Sequence, residues 1–283
     1  MQKKTPAVSV IIAVYNNFLW LRLILDALRM QTFKDFEVII CDDGSSQENV
    51  DSLYAYMQAH PEMTIIHSWH PDEGWRKNKA LNQAVRRSSA PYLIFVDGDC
   101  IPHPRFVEDH IRMKAPGFVI GGRRVESRPS LNELVESWTE LPKNYFSQAR
   151  RRIIASTFKD GFGKMLFQLR RTIRFPFIFG RPFGMKPHGF LGANFAIHRA
   201  DLEKVNGFDE RYVDPGTGED SDLDLRLEHA GIYHRKVSHN ALMIHRCHKR
   251  LFLDAQHNKD LYAACKRERL TYVATGLYPP SES

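Results

Sequence analysis

From Val8 to Gly122 the chain alternates between short apolar runs and longer segments whose apolar residues recur at helical spacing. Val8 to Val14 is continuous and β-branched. Trp20 to Met30 follows, with Leu21, Ile24, Leu25 and Leu28 on one helical face. Glu37 to Cys41 is a second strand, closed by Asp42-Asp43-Gly44-Ser45, and Val50 to Ala59 a second helix. Met63 to His67 reads as strand, Asn78 to Arg87 as helix and Tyr92 to Val96 as a fourth strand, with a helix from about Pro104, a residue suited to a first turn. Strand and helix in alternation predict a mostly parallel sheet covered by helices on both faces, an α/β fold. Strands buried on both sides read as unbroken apolar runs, as these do.

Beyond Gly122 this regularity stops. Residues 123–190 mix amphipathic, basic and aromatic pieces with proline interruptions. A strand is expected again at Phe190 to His198, a helix at Ser221 to Ala230 closed by Gly231, and a short strand at Ala241 to His245. Leu251 to Ala274 reads as helix. The expected organisation is one domain over 1–250, in three stretches (1–122, 123–190 and 191–250), followed by a helical tail over 251–283.

With 283 residues and 43% apolar content, the chain can bury a core of that size. No apolar segment approaches the roughly 20 residues that span a bilayer, and the start lacks a cleavage signature, so the reading is a cytosolic protein, with peripheral attachment to the inner face of the membrane left open. Cys41, Cys100, Cys247 and Cys265 have no metal or redox spacing and are expected to be reduced thiols. The net charge of +7 is concentrated: Lys143 to Arg174 holds nine Lys or Arg against one acid, Asp160. Such a stretch suits an anionic partner. No nucleic-acid-binding motif accompanies it, so nucleic acid is not expected. Arg150-Arg151-Arg152-Ile153-Ile154, Leu166 to Arg171 and the interspersed Phe158, Phe162, Phe175, Phe177 and Phe179 admit two readings. One is an insert with a solvated basic face; the other is a surface that meets an anionic membrane or a phosphorylated lipid-linked acceptor.

The candidate chemistry lies at the carboxyl ends of the predicted strands. Tyr15-Asn16 follows the first, Asp42-Asp43 the second, Asp72 to Asn78 the third, and Asp97 and Asp99 the fourth. In a parallel sheet these ends face one way and line one crevice. Two carboxylates one residue apart repel each other unless a cation lies between them, and a divalent ion held there can grip a diphosphate. A carboxylate for a base or ribose and Arg76, Lys77 and Lys79 for phosphate complete a nucleotide site. Neither a dinucleotide fingerprint nor a P-loop is present, which removes most support for oxidoreductase and NTPase readings. A second acidic cluster runs from Gly216 to Asp224. Helix capping explains Asp222 and Asp224 there. It does not explain a glycine-rich approach to Glu219-Asp220, which suits a general base meeting a hydroxyl.

Val8 to Asn16, Gln31 to Ile40 with Asp42-Asp43-Gly44-Ser45, and Tyr92 to Asp99 resemble the opening of the family 2 glycosyltransferases. Phe190 to Ile197, Val205 to Glu210 and Gly218-Glu219-Asp220 are similar to the acceptor-side half shared with galactosyl- and N-acetylgalactosaminyltransferases. The resemblance implies a GT-A fold in which 1–122 binds the nucleotide sugar, 191–250 faces the acceptor and 123–190 is a basic aromatic insert. It implies an inverting, metal-dependent transfer from a UDP-sugar donor to a glycan or lipid-linked saccharide, of the kind that builds cell-surface polysaccharide or lipopolysaccharide. By position, Ala13 and Tyr15 line the uracil pocket, Asp43 bonds the base and Asp97 approaches the ribose or sugar. Arg76, Lys77 and Asn78 serve the phosphates. Asp99 binds Mn²⁺ or Mg²⁺, with His245 as a further ligand and His248 as its substitute; imidazole favours Mn²⁺. Asp220 is the base, and Glu219 holds the acceptor or orients the loop. Two departures stand out: Lys77-Asn78 replaces an Arg-Asn pair, and Asp214-Pro215-Gly216-Thr217 lacks the tryptophan of the galactosyltransferase-like version. The alternatives are a sugar nucleotidyltransferase, which would want a glycine-rich phosphate loop near the start, and an inactive nucleotide-sugar or glycan-binding module, which would be expected to lack Asp99 or Asp220.

Overall fold

The structure, a computed structural model, describes residues 4–158, 162–174, 185–186, 192–216, 218–237, 239–249 and 253–278. The first half follows the expected alternation: β1 (Val8–Val14), α1 (Phe18–Arg29), β2 (Phe36–Asp42), α2 (Gln47–Ala59), β3 (Ile65–Trp69), α3 (Lys77–Arg87) and β4 (Tyr92–Asp97). Then come β5 (Cys100–Pro102), α4 (Phe106–Met113), β6 (Phe118–Gly121), β7 (Arg123–Glu126), α5 (Pro129–Glu136), α6 (Tyr145–Phe158), α7 (Phe162–Thr172) and β8 (Met185–Lys186). The remainder is β9 (Asn194–His198), α8 (Arg199–Lys204), α9 (Glu219–His229), β10 (Tyr233–Lys236), β11 (Leu242–His245) and α10 (Gln256–Glu268).

Among the described residues the main sheet has the order β3-β2-β1-β4-β9-β6-β10-β8. β1 pairs in parallel with β2 and β4, and β2 with β3; β9 runs antiparallel between β4 and β6, and β8 antiparallel to β10. The sheet is therefore mostly parallel in direction, with two reversed strands. Successive β1 residues feed opposite faces, as the pleat requires. Val10 and Ile12 join the α1 side with Leu21, Leu25 and Leu28, whereas Ile11 packs with Leu81, Ala84 and Val85 of α3.

A second sheet, β5-β11-β7, lies beyond the end of β4. Its central strand pairs antiparallel with β5, placing His245 opposite Cys100, and parallel with β7, placing His245 opposite Glu126.

Several boundaries differ from the sequence reading. The helix after β5 begins at Phe106 rather than Pro104. Pro104 stays in the turn before it, where its carbonyl accepts the Thr32 N–H at 2.9 Å. The described residues of 123–174 form β7 and three helices. Elements as short as four and eight residues carry too little periodicity to be read. The stripe Tyr145, Ala149, Ile153 and Thr157 buries α6. Among its described residues the tail is helical only over α10. Afterwards it returns to the core, where Leu277 is buried and its N–H donates to Asn206 O. Phe175, Phe177, Phe179, Phe190 and Thr217 lie outside the described residues. The four cysteines are free thiols, and among the described residues no helix is long and apolar enough to cross a membrane.

Candidate active site

The carboxyl ends of β1, β2 and β4 and the start of α3 open onto one cleft of about 730 Å³. It is lined by Ala13, Tyr15, Asp43, Trp75, Lys77 and Asp97, and also by Asp99, Arg124, Glu219, Asp220, His245, Arg246 and His248. Asp99 and Asp220, separated by more than a hundred residues, thus face the same cavity. Parallel pairing accounts for the first group, because it delivers the ends of adjacent strands to one edge.

The turn after β4 is tucked under β1. The Gly98 N–H donates to Ala13 O at 2.7 Å, and a Cβ at Gly98 would lie 2.7 Å from that oxygen, so only glycine fits between the two aspartates. Tyr15 donates to Asp72 Oδ2 at 2.9 Å and tethers the loop before α3. Asp43 Oδ2 accepts the Arg76 N–H at 3.0 Å. Its Oδ1 is buried and lacks an aligned donor, although His70 Nε2 is 3.1 Å away. Burial raises the Asp43 pKa, against the Arg76 N–H and His70.

Not every expected residue reaches the cleft. The Asn78 amide is buried and donates to Asp209 O at 2.8 Å, tying α3 to the loop before α9. Arg76 contributes its backbone N–H to Asp43 while its guanidinium donates to Trp75 O. Lys79 pairs with Glu73, and Asp42 is held by His67 and the Ser45 N–H. Asp222, read as a cap, is instead a buried partner of Arg226 at 2.7 Å, and Arg226 donates onward to Val205 O and Gly207 O.

Lys77 reaches Asp97 Oδ1 at 3.3 Å and Glu219 Oε1 at 3.5 Å. Burial opposes its charge, but Asp97, Asp220 and Glu219 together hold its pKa well above the ordinary lysine value. Glu219 and Asp220 form the first turn of α9 rather than a loop ahead of it, after Gly218 at φ +92°. The helix N-terminus favours their negative charge. Burial works the other way, pushing Glu219 up to about 7 against Lys77, with Asp220 and Asp97 adding to the rise. Asp220 is raised by burial too, opposed by Lys77. Gly192 faces this carboxylate so closely that a Cβ there would sit 1.9 Å from Asp220 Oδ2.

The small sheet builds the other centre. Asp99 Oδ2 lies 3.3 Å from His245 Nε2 and 2.9 Å from His248 Nε2, and His245 Nδ1 lies 2.8 Å from Glu126 Oε2. One ligand atom from each of Asp99, His245 and His248 falls within 4.8 Å of the others. One carboxylate oxygen and two imidazole nitrogens suit a divalent transition metal, and the carboxylate on the far His245 nitrogen fixes its tautomer. Both candidate histidines therefore converge, where the sequence left a choice between them. Desolvation opposes a charge on His245, yet its hydrogen bonds to Asp99 and Glu126 raise it to about 9. Asp99 is desolvated too, but His245 holds it down at about 2.

With a chelator present, this pairing makes a testable contribution to stability. His245 has a folded pKa near 9 against an ordinary 6.5. Its contribution is complete below the lower value and lost as pH rises through the upper one. Tm is expected to fall between pH 6.5 and 9 and to fall less in His245→Asn; equal slopes in the two proteins would overturn the assignment.

Arg124 and Arg246 lie outside the segments read for chemistry, and Trp75 and Gly192 lie inside such segments with no role of their own assigned. Arg124 and Arg246 sit in segments whose only linear signal is charge, and Gly192 gains meaning only from what stands opposite it.

The profile of the Glycosyl transferase family 2 matches residues 9–205, and that of the N-terminal domain of galactosyltransferase matches 182–249. Validoxylamine A glucosyltransferase of Streptomyces hygroscopicus subsp. jinggangensis is 31% identical over 242 residues, covering 80% of this chain and 52% of that protein. Hyaluronan synthase of Pasteurella multocida is 24% identical over 97% of this chain and 28% of its own length. The chain spans about half the length, or less, of the curated relatives it matches. Among solved structures, a mannosyltransferase from Pyrobaculum calidifontis in complex with GDP-Man and Mn²⁺ superposes with a TM-score of 0.55 at 17% identity. That match covers 88% of this chain and 59% of the other. S. aureus TarS in complex with UDP gives 0.52 at 15%, covering 84% and 59%. The fold is thus GT-A-like.

Proposed function

The chain belongs to the Glycosyl transferase family 2, and on that premise we propose that it transfers a sugar, with inversion, from a UDP-sugar to a saccharide acceptor for a surface polysaccharide. The observation that carries this reading is the single cleft shared by Asp43, Asp97, Asp99, Asp220, His245 and His248.

Asp43 receives the nucleobase through its buried Oδ1, while Ala13 and Tyr15 form the walls around it. Asp97, fixed by Lys77, meets the ribose or the sugar. Asp99, His245 and His248 would hold Mn²⁺ in preference to Mg²⁺, since two imidazoles favour the softer ion, and the chemistry it would supply there is neutralisation of charge on the departing diphosphate. Arg124 and Arg246 add positive charge to the same wall. Asp220 takes the proton from the acceptor hydroxyl as that oxygen attacks the anomeric carbon from the face opposite the leaving group. The bond to UDP breaks as the new glycosidic bond forms, and no covalent enzyme intermediate is needed. The raised pKa of Asp220 strengthens it as a base, and Lys77 keeps it ionised before the proton arrives. Glu219, also tied to Lys77, orients this turn and reaches the acceptor.

Asp43→Ala should weaken UDP binding by roughly tenfold to a hundredfold, the worth of one hydrogen bond to a charged group, as read by calorimetry. Unchanged affinity would remove the base-binding role. The reading as a whole is tested by UDP release from a panel of UDP- and GDP-sugars with Mn²⁺, with and without saccharide acceptors. Acceptor-dependent release from a UDP-sugar supports it, and release from none of them overturns it. The basic helices α6 and α7 favour an acceptor presented at an anionic bilayer, such as a lipid-linked saccharide.

A further inference from the structure

We infer that α6 and α7 form a membrane-docking element whose exposed apolar side chains, Phe158, Phe162, Leu166 and Phe167, seat between anionic lipid headgroups. The inference goes beyond the transfer reaction and does not depend on the donor. The two helices pack against each other. The inner side of α6 is anchored by Tyr145, Phe146, Ala149 and Ile153, and Arg152 donates to Ser130 O. Large apolar side chains are exposed where α6 ends and α7 begins. Phe158, the last residue of α6, is 69% exposed and Phe162, the first of α7, is 72% exposed; Leu166 and Phe167 follow at 51% and 58%. Large apolar side chains grouped in this way on a water-facing surface mark an interaction site.

The charge pattern selects the occupant. The two helices carry Arg150, Arg151, Arg152, Lys164, Arg170 and Arg171 and no acid. Phe162, Leu166 and Arg170 recur every four residues, so one face of α7 runs from apolar at its start to basic at its end. Arg171 stacks over Phe167, 5.3 Å from its centroid. Exposed apolar side chains on helices whose only charges are basic match a bilayer surface, which offers acyl chains below and phosphates above. A second copy of this chain would bring the same six cations against this face. Nucleic acid would satisfy the arginines but would leave the aliphatic Leu166 without a partner.

The test uses the full chain with sedimented vesicles of phosphatidylcholine, alone or mixed with phosphatidylglycerol. Binding is expected to the mixed vesicles, at least about tenfold tighter than to the neutral ones, and to weaken as salt rises. Phe162→Ser with Leu166→Ser should lose about tenfold or more in binding, with Tm unchanged because both side chains are exposed. Arg151→Gln with Arg170→Gln should lose a similar factor together with most of the salt dependence. Equal binding to both vesicle types, or binding indifferent to both double variants, overturns the inference. So does a dimer in sedimentation velocity that the Phe162→Ser, Leu166→Ser change dissolves, or an oligonucleotide complex lost in the same variants. UDP release in vesicle-free solution, with a soluble acceptor, reads the transfer reaction separately, so either proposal can fail while the other stands.

Discussion

Asp220→Asn is expected to lower the rate of sugar transfer by roughly 10²–10⁴-fold while leaving UDP-sugar affinity nearly unchanged, because the variant removes the proposed base and little else. The carboxylate stands in the first turn of α9, and the proposed donor contacts through Asp43 and Asp97 are left in place. The amide is isosteric and fits against Gly192, where there is no room for a larger neighbour. Burial disfavours the charged form of Asp220, so a neutral side chain should hold Tm level or raise it slightly. Lys77 retains Asp97 and Glu219 as partners. Loss of rate with intact donor binding and intact Tm identifies the base. Near-normal turnover would transfer that role to another group, with Glu219 the first to test.

Asp99→Asn should be as severe through a different route. Its Oδ2 is the atom that both His245 and His248 approach, so the variant removes the only carboxylate among the three proposed ligands. Neutralising a departing diphosphate is worth several kcal/mol, so kcat/KM is expected to fall by about 10³-fold. Mn²⁺ affinity, followed by titration calorimetry without substrate, should drop in parallel, and the drop separates a lost ligand from a distorted cleft. The variant also strips His245 of one partner and should weaken the pH dependence described for the metal-free protein. Mn²⁺ affinity equal to that of the parent would show that the cation is held elsewhere.

The two variants probe parts of the site that were unequally legible in the sequence. Asp43, Asp97 and Asp99 end apolar runs that could only be buried strands, and once those runs pair in parallel their ends share an edge. Tyr15 follows by the same logic, whereas Ala13 is reached only through the family resemblance. Asn78 did not behave as its position suggested. Its amide is consumed by the Asp209 carbonyl, a partner 131 residues away that no local pattern reveals. Lys77 reads as a phosphate ligand in the sequence, whereas its ion pairs with Asp97 and Glu219 make it a cation that ties the end of β4 to α9. The stretch after Gly122 was opaque because β7, β11 and α5 are too short for periodicity to rise above composition.

The sequence by itself determined the four parallel strands, their helices and the acidic residues at their ends, because hydrophobic periodicity and strand-terminal carboxylates are local properties of the chain. The tertiary structure alone decided that His245 stands opposite Cys100 and Glu126, that His248 joins it at Asp99, and that Gly192 abuts Asp220. Those juxtapositions arise from antiparallel and parallel pairing of segments far apart in the chain. Register between distant strands is set by the packing of the whole sheet, and no local pattern encodes it.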